Sequence, residues 1–416
     1  MDQLTGNCLI GQSGGPTAVI NASLCGAIQQ SINSPLIKTV YGAVNGIEGV
    51  LNEHIIDLSA YFKSMDELEL LKNTPAAFLG SCRYKLPAVE PRNEIYEKIF
   101  EMFKKYDIRY FFYIGGNDSM DTVMKLSDYA KSISYPINII GIPKTIDNDL
   151  QITDHTPGYG SAAKFIATTV LEITKDSEVY DVDSVTIIEI MGRNAGWLTA
   201  ASALARNDSS DSPDLIYLPE VPFSIENFMN DIKEVQKRKR NVIVCVSEGI
   251  KDGSGKYICE TISSGLVDVF GHKYLGGTGK VLEDEVRSRL KCKVRSIELN
   301  VLQRCAAHIA SLTDINEAYE IGKQAVIAAE NGATGKMMVF KRLPGEDYNI
   351  SIESVDIKNI ANKEKVIPRE WINEKGNNIS RELINYMKPL ILGEPKLTMK
   401  DGLPVYLKLD RKEEQN

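Results

Sequence analysis

Residues 137–150 read Ile-Asn-Ile-Ile-Gly-Ile-Pro-Lys-Thr-Ile-Asp-Asn-Asp-Leu, an apolar run that ends in a dense polar cluster. The isoleucines before Pro143 predict a strand buried on both faces, because a short aliphatic run of this kind suits a parallel sheet. Pro143 has no N–H to give to a sheet, so the strand should end there. The residues that follow should then lie at the carboxyl edge, where ligands bind in open α/β sheets.

The polar cluster combines a cation, a hydroxyl group and two carboxylates within six residues. An ordinary surface turn would also fit, because Asp and Asn are good turn formers. The alternative is a binding or catalytic loop, which needs support from elsewhere in the chain. The residues concerned are Lys144, Thr145, Asp147, Asn148 and Asp149.

Length and composition limit the fold class and the partners. A chain of 416 residues is too long for one compact core, so we expect two α/β lobes and a terminal extension. Hydrophobic and charged fractions of 43% and 25% are typical of a globular protein in water. The net charge of −8 argues against a nucleic-acid partner, so any anionic ligand must meet locally placed Arg and Lys.

The cellular location follows from two further features of the sequence. No apolar run approaches the length of a membrane span, and the N-terminus has no secretory pattern, so we expect no membrane association. Seven cysteines are scattered without a Cys-x-x-Cys pair. This spacing favours reduced thiols in a cytoplasmic protein over disulfides or zinc.

Two glycine-rich turns support a binding role for this sheet edge. Residues 11–17 follow a short strand and precede a helical pattern, and residues 115–119 do the same, with Ser119 as the expected N-cap of a helix over 120–131. Glycines let backbone N–H groups approach a phosphate at a helix N-terminus. Asp118 is unusual in such a turn, because its carboxylate would crowd a nucleotide phosphate.

The second half of the chain repeats the alternation of strand and helix, which indicates a second parallel-sheet lobe. One predicted strand ends before Met191, Gly192 and Arg193, and another before Glu248. A glycine-rich run at 271–278 precedes a charged helix, and Arg295 and Arg304 flank a predicted strand over 297–302. Two arginines placed in this way suit a phosphate. Beyond about residue 345 the pattern weakens, and we predict no chemistry there.

Taken together, these motifs resemble those of the phosphofructokinases. The resemblance implies two doubly wound parallel-sheet α/β lobes. Residues 1–158, completed by about 304–360, would bind the phosphoryl donor, residues 159–303 would bind the sugar phosphate, and 361–416 would form a C-terminal extension. The matching blocks contain Ser13-Gly14-Gly15, Gly80-Ser81 with Arg83, Gly115 to Ser119, Pro143 to Asp149, Met191-Gly192-Arg193, Ser247-Glu248-Gly249 and Gln303-Arg304.

The same resemblance implies the role of each site residue. Asp147 would be the general base that takes the proton from the 1-hydroxyl of fructose 6-phosphate, in a reaction that needs little covalent chemistry from the protein. Mg²⁺ would neutralise the donor, with Asn117 and Asp149 as candidate ligands, and the subunits would form a homodimer or homotetramer. The donor would contact Gly14, Gly15, Arg83, Gly116 and Ser119, and the sugar phosphate would contact Thr145, Ile146, Asp147, Met191, Gly192, Arg193, Glu248, Arg295, Val301 and Arg304.

The choice of donor depends on Asp118 and Lys144. Family members that use ATP have Gly at both positions, whereas members that use pyrophosphate have Asp and Lys. Asp118 places charge where the α-phosphate of ATP would lie, and Lys144 suits a small, highly charged donor. We therefore predict pyrophosphate.

Several alternatives remain open. An ATP-dependent kinase and a catalytically silent regulatory subunit of the same fold are both compatible with most of the motifs. Ser184 and Val301 depart from the usual sugar-phosphate pocket, so another sugar phosphate such as sedoheptulose 7-phosphate is a further candidate. A dinucleotide-binding oxidoreductase is disfavoured, because the chain has no Gly-x-Gly-x-x-Gly motif.

Overall fold

A computed structural model describes residues 3–90, 92–261 and 277–409, so most of the glycine-rich run at 271–278 lies outside the described residues. The strands are β1 (Gly6–Gln12), β2 (Ile37–Ala43), β3 (Ile55–Asp57), β4 (Ile108–Gly115), β5 (Asn138–Pro143), β6 (Ser184–Ile190), β7 (Leu215–Tyr217), β8 (Asn241–Ser247), β9 (Lys293–Glu298), β10 (Lys336–Arg342), β11 (Ile350–Asp356), β12 (Met399–Lys400) and β13 (Leu403–Pro404). The helices are α1 (Ile20–Ile32), α2 (Gly46–Leu51), α3 (Leu58–Tyr61), α4 (Met65–Lys72), α5 (Glu94–Lys105), α6 (Asn117–Ser132), α7 (Tyr159–Glu178), α8 (Trp197–Ala201), α9 (Ile225–Gln236), α10 (Thr278–Arg289), α11 (Leu312–Glu330) and α12 (Arg381–Met387). None of these described helices combines the length and the apolarity needed to cross a lipid bilayer.

Two sheets organise the α/β fold, which confirms the predicted fold class. The larger sheet has the order β11-β10-β5-β4-β1-β2-β3, and the smaller has the order β7-β8-β6-β9. Strands β1, β4 and β5 are parallel neighbours, so the two glycine-rich turns and the polar cluster lie at one edge, as predicted. The larger sheet is parallel through its central strands. Its outer strands β3 and β11 run antiparallel to β2 and β10, a common arrangement at the ends of parallel sheets.

Strand β5 is buried on both faces, as its isoleucine run predicted. Ile140 belongs to an apolar cluster with Phe112 on one face, and Ile139 belongs to a second cluster with Phe111 on the other. Helices α1 and α11 pack over the first face, whereas α5 and α6 contribute buried side chains to the second. The sheet edge that carries the polar cluster is therefore anchored by core on both sides.

Two predicted boundaries are wrong, for local reasons. Helix α6 begins at Asn117, so Gly116 and not Ser119 is the N-cap residue. The buried Ser119 side chain packs back over Gly115, where an added Cβ would lie 2.0 Å from its Oγ. The strand predicted over 297–302 is instead β9, which ends at Glu298, because Asn300 adopts a left-handed φ of 41° and begins a short 3₁₀ helix.

Candidate active site

A cleft of about 850 Å³ opens where the loops after β1, β4 and β5 face the loops after β6, β8 and β9. Nearly all the side chains and turns singled out in the sequence meet there. The site residues predicted from the sequence that line the cleft are Gly14, Gly15, Arg83, Gly116, Asn117, Asp118, Ser119, Lys144, Thr145, Ile146, Asp147, Asp149, Met191, Gly192, Arg193, Glu248, Val301 and Arg304.

Arg295 is the predicted site residue that does not line the cleft. It lies on β9, where its guanidinium forms an ion pair with Asp176 of α7 at 3.1 Å. The predicted contact of Arg295 with the sugar phosphate is therefore not explained by the cleft of this subunit, and it stays a prediction.

The loop after β5 is held in place by its own hydrogen bonds. The N–H of Lys144 donates to the carbonyl of Gly115 at 3.0 Å, which ties the loop to the end of β4. The hydroxyl of Thr145 accepts the N–H of Asp147 at 3.0 Å and lies 3.4 Å from its carboxylate. Thr145 thus orients Asp147 toward the cleft, as an ST turn can.

Burial and charge set the protonation of the two carboxylates in this loop. Burial raises the pKa of Asp147, although the Arg304 and Lys144 cations act against the rise. Burial also raises the pKa of Asp149 to about 7, and the neighbouring Asp147 charge adds to this effect. A carboxylate whose pKa is raised is a stronger base than one in water, which suits Asp147 for accepting a proton.

Lys144 places a cation at the base of the cleft. Its side chain is 2% exposed, and its ammonium donates to the carbonyl of Gly15 at 2.7 Å. Burial lowers the pKa of Lys144 to about 8, while the Asp147 carboxylate opposes that change. Gly14 has a φ of 79°, and a Cβ there would lie 3.2 Å from the ammonium. The glycine turn therefore leaves the space that Lys144 fills.

Asp118 brings negative charge to the start of α6. It lies in the first turn of that helix, is exposed, and lines the cleft. A helix N-terminus attracts anions, including carboxylate side chains. At this position Asp118 would compete with a ligand phosphate for the N-terminus of α6.

The opposite wall of the cleft contains acidic side chains near the ends of β6 and β8. Glu248 accepts the N–H of Gly192 at 3.4 Å, and burial raises the pKa of its carboxyl group to about 7. Glu189 also lines the cleft and caps α10 through the N–H of Gly279 at 2.7 Å. Glu189 is not among the site residues predicted from the sequence, although a carboxylate inside the apolar run of β6 was a usable signal.

The cleft could hold a metal ion that is bound partly by the protein and partly by a phosphate ligand. Within the described ranges, no group of three or more His, Cys, Asp or Glu side chains is placed to hold a metal ion. Asp147 and Asp149 nevertheless bring two carboxylates into the cleft from one loop. Mg²⁺ is commonly held by one or two carboxylates together with substrate phosphates and water. The site therefore suits a metal ion that arrives with a phosphate ligand.

A short segment from the C-terminal part of the chain completes the cleft wall. Residues 362–365, which we call the C-terminal strap, include Asn362 and Glu364 in the lining. The Asn194 amide after β6 donates to both carboxylate oxygens of Glu364, at 3.0 and 3.1 Å. Residues beyond about 345, where the sequence predicts no chemistry, therefore contribute two side chains to the cleft wall. No local motif marks the strap, so sequence patterns could not have revealed it.

Asn117, a predicted metal ligand, holds this strap. Its side-chain oxygen accepts the N–H of Asn362 at 2.6 Å, and its side-chain amide donates to the carbonyl of Lys363 at 3.0 Å. A carboxylate could make the first contact but not the second, because it has no hydrogen to donate. These two hydrogen bonds to the strap explain why residue 117 is an amide and not a carboxylate.

Replacing Asn117 by Asp should therefore lower the free energy of unfolding by about 1 kcal/mol, because one hydrogen bond becomes a repulsive contact between two oxygens. Urea denaturation at fixed pH would measure the change. The same substitution at the exposed Asn349, in the loop between β10 and β11, provides a matched control. If the two variants were equally stable, Asn117 would not be what holds the strap.

Comparison with known proteins gives a consistent result. The family model described as phosphofructokinase matches residues 7–329. A pyrophosphate–fructose 6-phosphate 1-phosphotransferase from Halomonas elongata is 41% identical over 406 residues, which cover 97% of this chain and 96% of that protein. One with the same name from Methylococcus capsulatus is 40% identical, with the same coverage.

A solved structure shares the architecture as well as the sequence. The crystal structure of a pyrophosphate-dependent phosphofructokinase from Nitrosospira multiformis superposes with a TM-score of 0.87 at 38% identity, covering 97% of this chain and 96% of that one. This chain belongs to the phosphofructokinase family.

Proposed function

We propose that this protein transfers a phosphoryl group from pyrophosphate to the 1-hydroxyl of fructose 6-phosphate, reversibly, giving fructose 1,6-bisphosphate and phosphate. The names of its similar relatives support this activity. The choice of pyrophosphate as the donor rests on one observation, that the buried Lys144 and Asp118 line the same cleft. This arrangement suits a small anionic donor and disfavours a nucleotide.

In the proposed mechanism, Asp147 accepts the proton of the sugar 1-hydroxyl as its oxygen attacks the donor phosphorus. Thr145 orients Asp147, and Lys144 stabilises charge on the transferred group and on the departing phosphate. The larger sheet would carry the donor, while Glu248, Arg193 and the loop after β9 would hold the sugar phosphate. Positioning and electrostatics supply the catalysis in such a reaction.

The metal in the proposal is Mg²⁺, bound chiefly through the donor. Asp149 would hold it, with Asp147 beside it in the same loop. When bound, Mg²⁺ neutralises charge on the phosphate oxygens. Because the Asn117 side chain already contacts the strap through both of its polar atoms, we assign it no direct role toward the metal.

We further propose a homodimer or homotetramer in the cytoplasm. Val301, which lines the cleft, and its neighbour Leu302 are 58% and 66% exposed, and we propose that a second subunit covers them. A second subunit that covers this surface would also bring in an Arg295 from outside the cleft. All seven cysteines are in the thiol form, which suits a reducing compartment.

The direct test is a turnover assay with fructose 6-phosphate and Mg²⁺, comparing pyrophosphate with ATP at equal concentration. We expect fructose 1,6-bisphosphate from pyrophosphate and little or none from ATP. Turnover with ATP alone would favour an ordinary kinase, and turnover with neither donor would favour a regulatory subunit. Sedoheptulose 7-phosphate as the acceptor in the same assay would test the specificity for the sugar.

A further inference from the structure

The C-terminal strap reaches behind the catalytic loop as well as lining the cleft. Lys365, its last residue, is not among the residues that line the cleft, unlike Asn362 and Glu364. Its backbone N–H donates to the carbonyl of Asp149 at 2.7 Å, and its carbonyl accepts the indole N–H of Trp197 at 3.0 Å. Because Trp197 begins α8, this one residue joins the loop after β5 to the lobe of the smaller sheet.

The side chain of Lys365 adds a second set of contacts to the same loop. Its ammonium donates to the side-chain oxygen of Asn148 at 3.1 Å, and to the carbonyls of Thr153 and Asp154 at 3.1 and 2.8 Å. These three acceptors match the three N–H donors of an ammonium group. Burial lowers the pKa of Lys365 to about 7, while Asp154 and Asp149 oppose that change. The ammonium also lies 5.1 Å from the centre of the Trp197 ring.

Asn148 shows why this attachment matters for the reacting group. It lies between Asp147 and Asp149, is fully buried, and has a left-handed φ of 53°. Such a conformation is uncommon outside Gly, although Asn adopts it more readily than most residues, and here the surrounding contacts hold it. The side-chain oxygen of Asn148 accepts from Lys365, and its amide donates to the Tyr386 hydroxyl at 3.0 Å. The strap and α12 thus hold the turn that sets the direction of Asp147.

We propose that Lys365 is a positioning residue that fixes the backbone of residues 147–149 and so aligns Asp147 with the acceptor hydroxyl. The inference rests on the proposed function, since it assigns Lys365 an effect on that reaction. Lys365 does not line the cleft, so its loss should leave substrate binding nearly unchanged. A small misplacement of the base would instead slow the chemical step.

The test compares Lys365→Met with Lys363→Met, the same change two residues away at an exposed position. We expect kcat of Lys365→Met to fall by about 10- to 100-fold, the range that a misplaced catalytic group produces. KM for pyrophosphate and for fructose 6-phosphate should stay near the wild-type values. Lys363→Met should behave like the wild type. If Lys365→Met retained the kcat of Lys363→Met, the positioning role would be wrong.

A second variant covers the case in which Lys365→Met does not fold. Tyr386→Phe removes the hydroxyl that accepts from Asn148 and donates to the carbonyl of Asp154. It should also lower kcat, by a smaller factor than Lys365→Met, again with little change in KM. If Tyr386→Phe kept the wild-type kcat, the contacts of Asn148 would not be what holds residues 147–149 in place.

Fluorescence provides a readout that does not depend on activity. The chain has 2 tryptophans, so a Trp371→Phe background leaves Trp197 alone, in contact with Lys365. Lys365→Met should shift the Trp197 emission, whereas Lys363→Met should not. If the wild type were inactive but Lys365→Met still shifted the emission, the proposed function would be wrong and the contact would stand. If the wild type were active but Lys365→Met changed neither the emission nor kcat, only the inference about Lys365 would be wrong.

Discussion

Replacing Asp147 by Asn should lower kcat for phosphoryl transfer by about 10²- to 10⁴-fold, the usual contribution of a positioned general base. The amide keeps the size of the side chain and its place beside the Thr145 hydroxyl, but it cannot accept the proton of the attacking hydroxyl. Initial rates at saturating pyrophosphate, fructose 6-phosphate and Mg²⁺ would measure the loss. KM for fructose 6-phosphate should change far less than kcat.

Asp128→Asn is the matched control for this prediction. Asp128 lies on α6 outside the cleft and forms an ion pair with Lys358 at 3.1 Å. The control should keep wild-type turnover, because exposed pairs of this kind contribute little. Wild-type turnover by a folded Asp147→Asn protein would exclude Asp147 as the base and would revive the alternative of a silent regulatory subunit.

The second large effect should come from removing together the two residues that set the choice of donor, Asp118 and Lys144. In the double variant Asp118→Gly and Lys144→Gly, kcat/KM for pyrophosphate should fall at least about 10²-fold, because the cation that stabilises the transferred charge is lost. The Asp118 carboxylate that competes with a nucleotide phosphate is lost as well. The comparison of pyrophosphate with ATP, run on the wild type and the double variant, measures both effects.

Single variants separate the two contributions to donor choice. Lys144→Gly alone should account for most of the loss with pyrophosphate, since Lys144 is buried at the base of the cleft. Asp118→Gly alone should mainly raise turnover with ATP. Thermal unfolding would show whether the space left by Lys144 destabilises the fold. If a folded double variant kept the wild-type preference for pyrophosphate, these two residues would not determine it.

The sequence predicted the local parts of this structure well. The isoleucine run before Pro143 indicated a buried strand and its end, because both signals lie within a few adjacent residues. The glycine turns before α1 and α6 could be placed at the same sheet edge, since parallel strands align their carboxyl ends. Together these signals were sufficient for the fold class and for the cluster around Asp147.

Features that depend on distant contacts could not be predicted in this way. Asn117 looked like a metal ligand by position, but the structure pairs it with residues nearly 250 positions later. The placement of Ser119 inside α6 depends on its packing over Gly115. The strap has neither periodicity nor a motif, and its contacts are with residues far away along the chain.

The link between Lys365 and the catalytic loop also affects the order of events during synthesis. Asn148 leaves the ribosome 217 residues before Lys365. At about 5–20 residues per second, that interval is on the order of 10–40 s. Strand β5 can join its sheet within this time, but the turn after it must wait for the late-translated anchor. The turn that carries the catalytic base is therefore fixed late in synthesis, well after its own residues have been made.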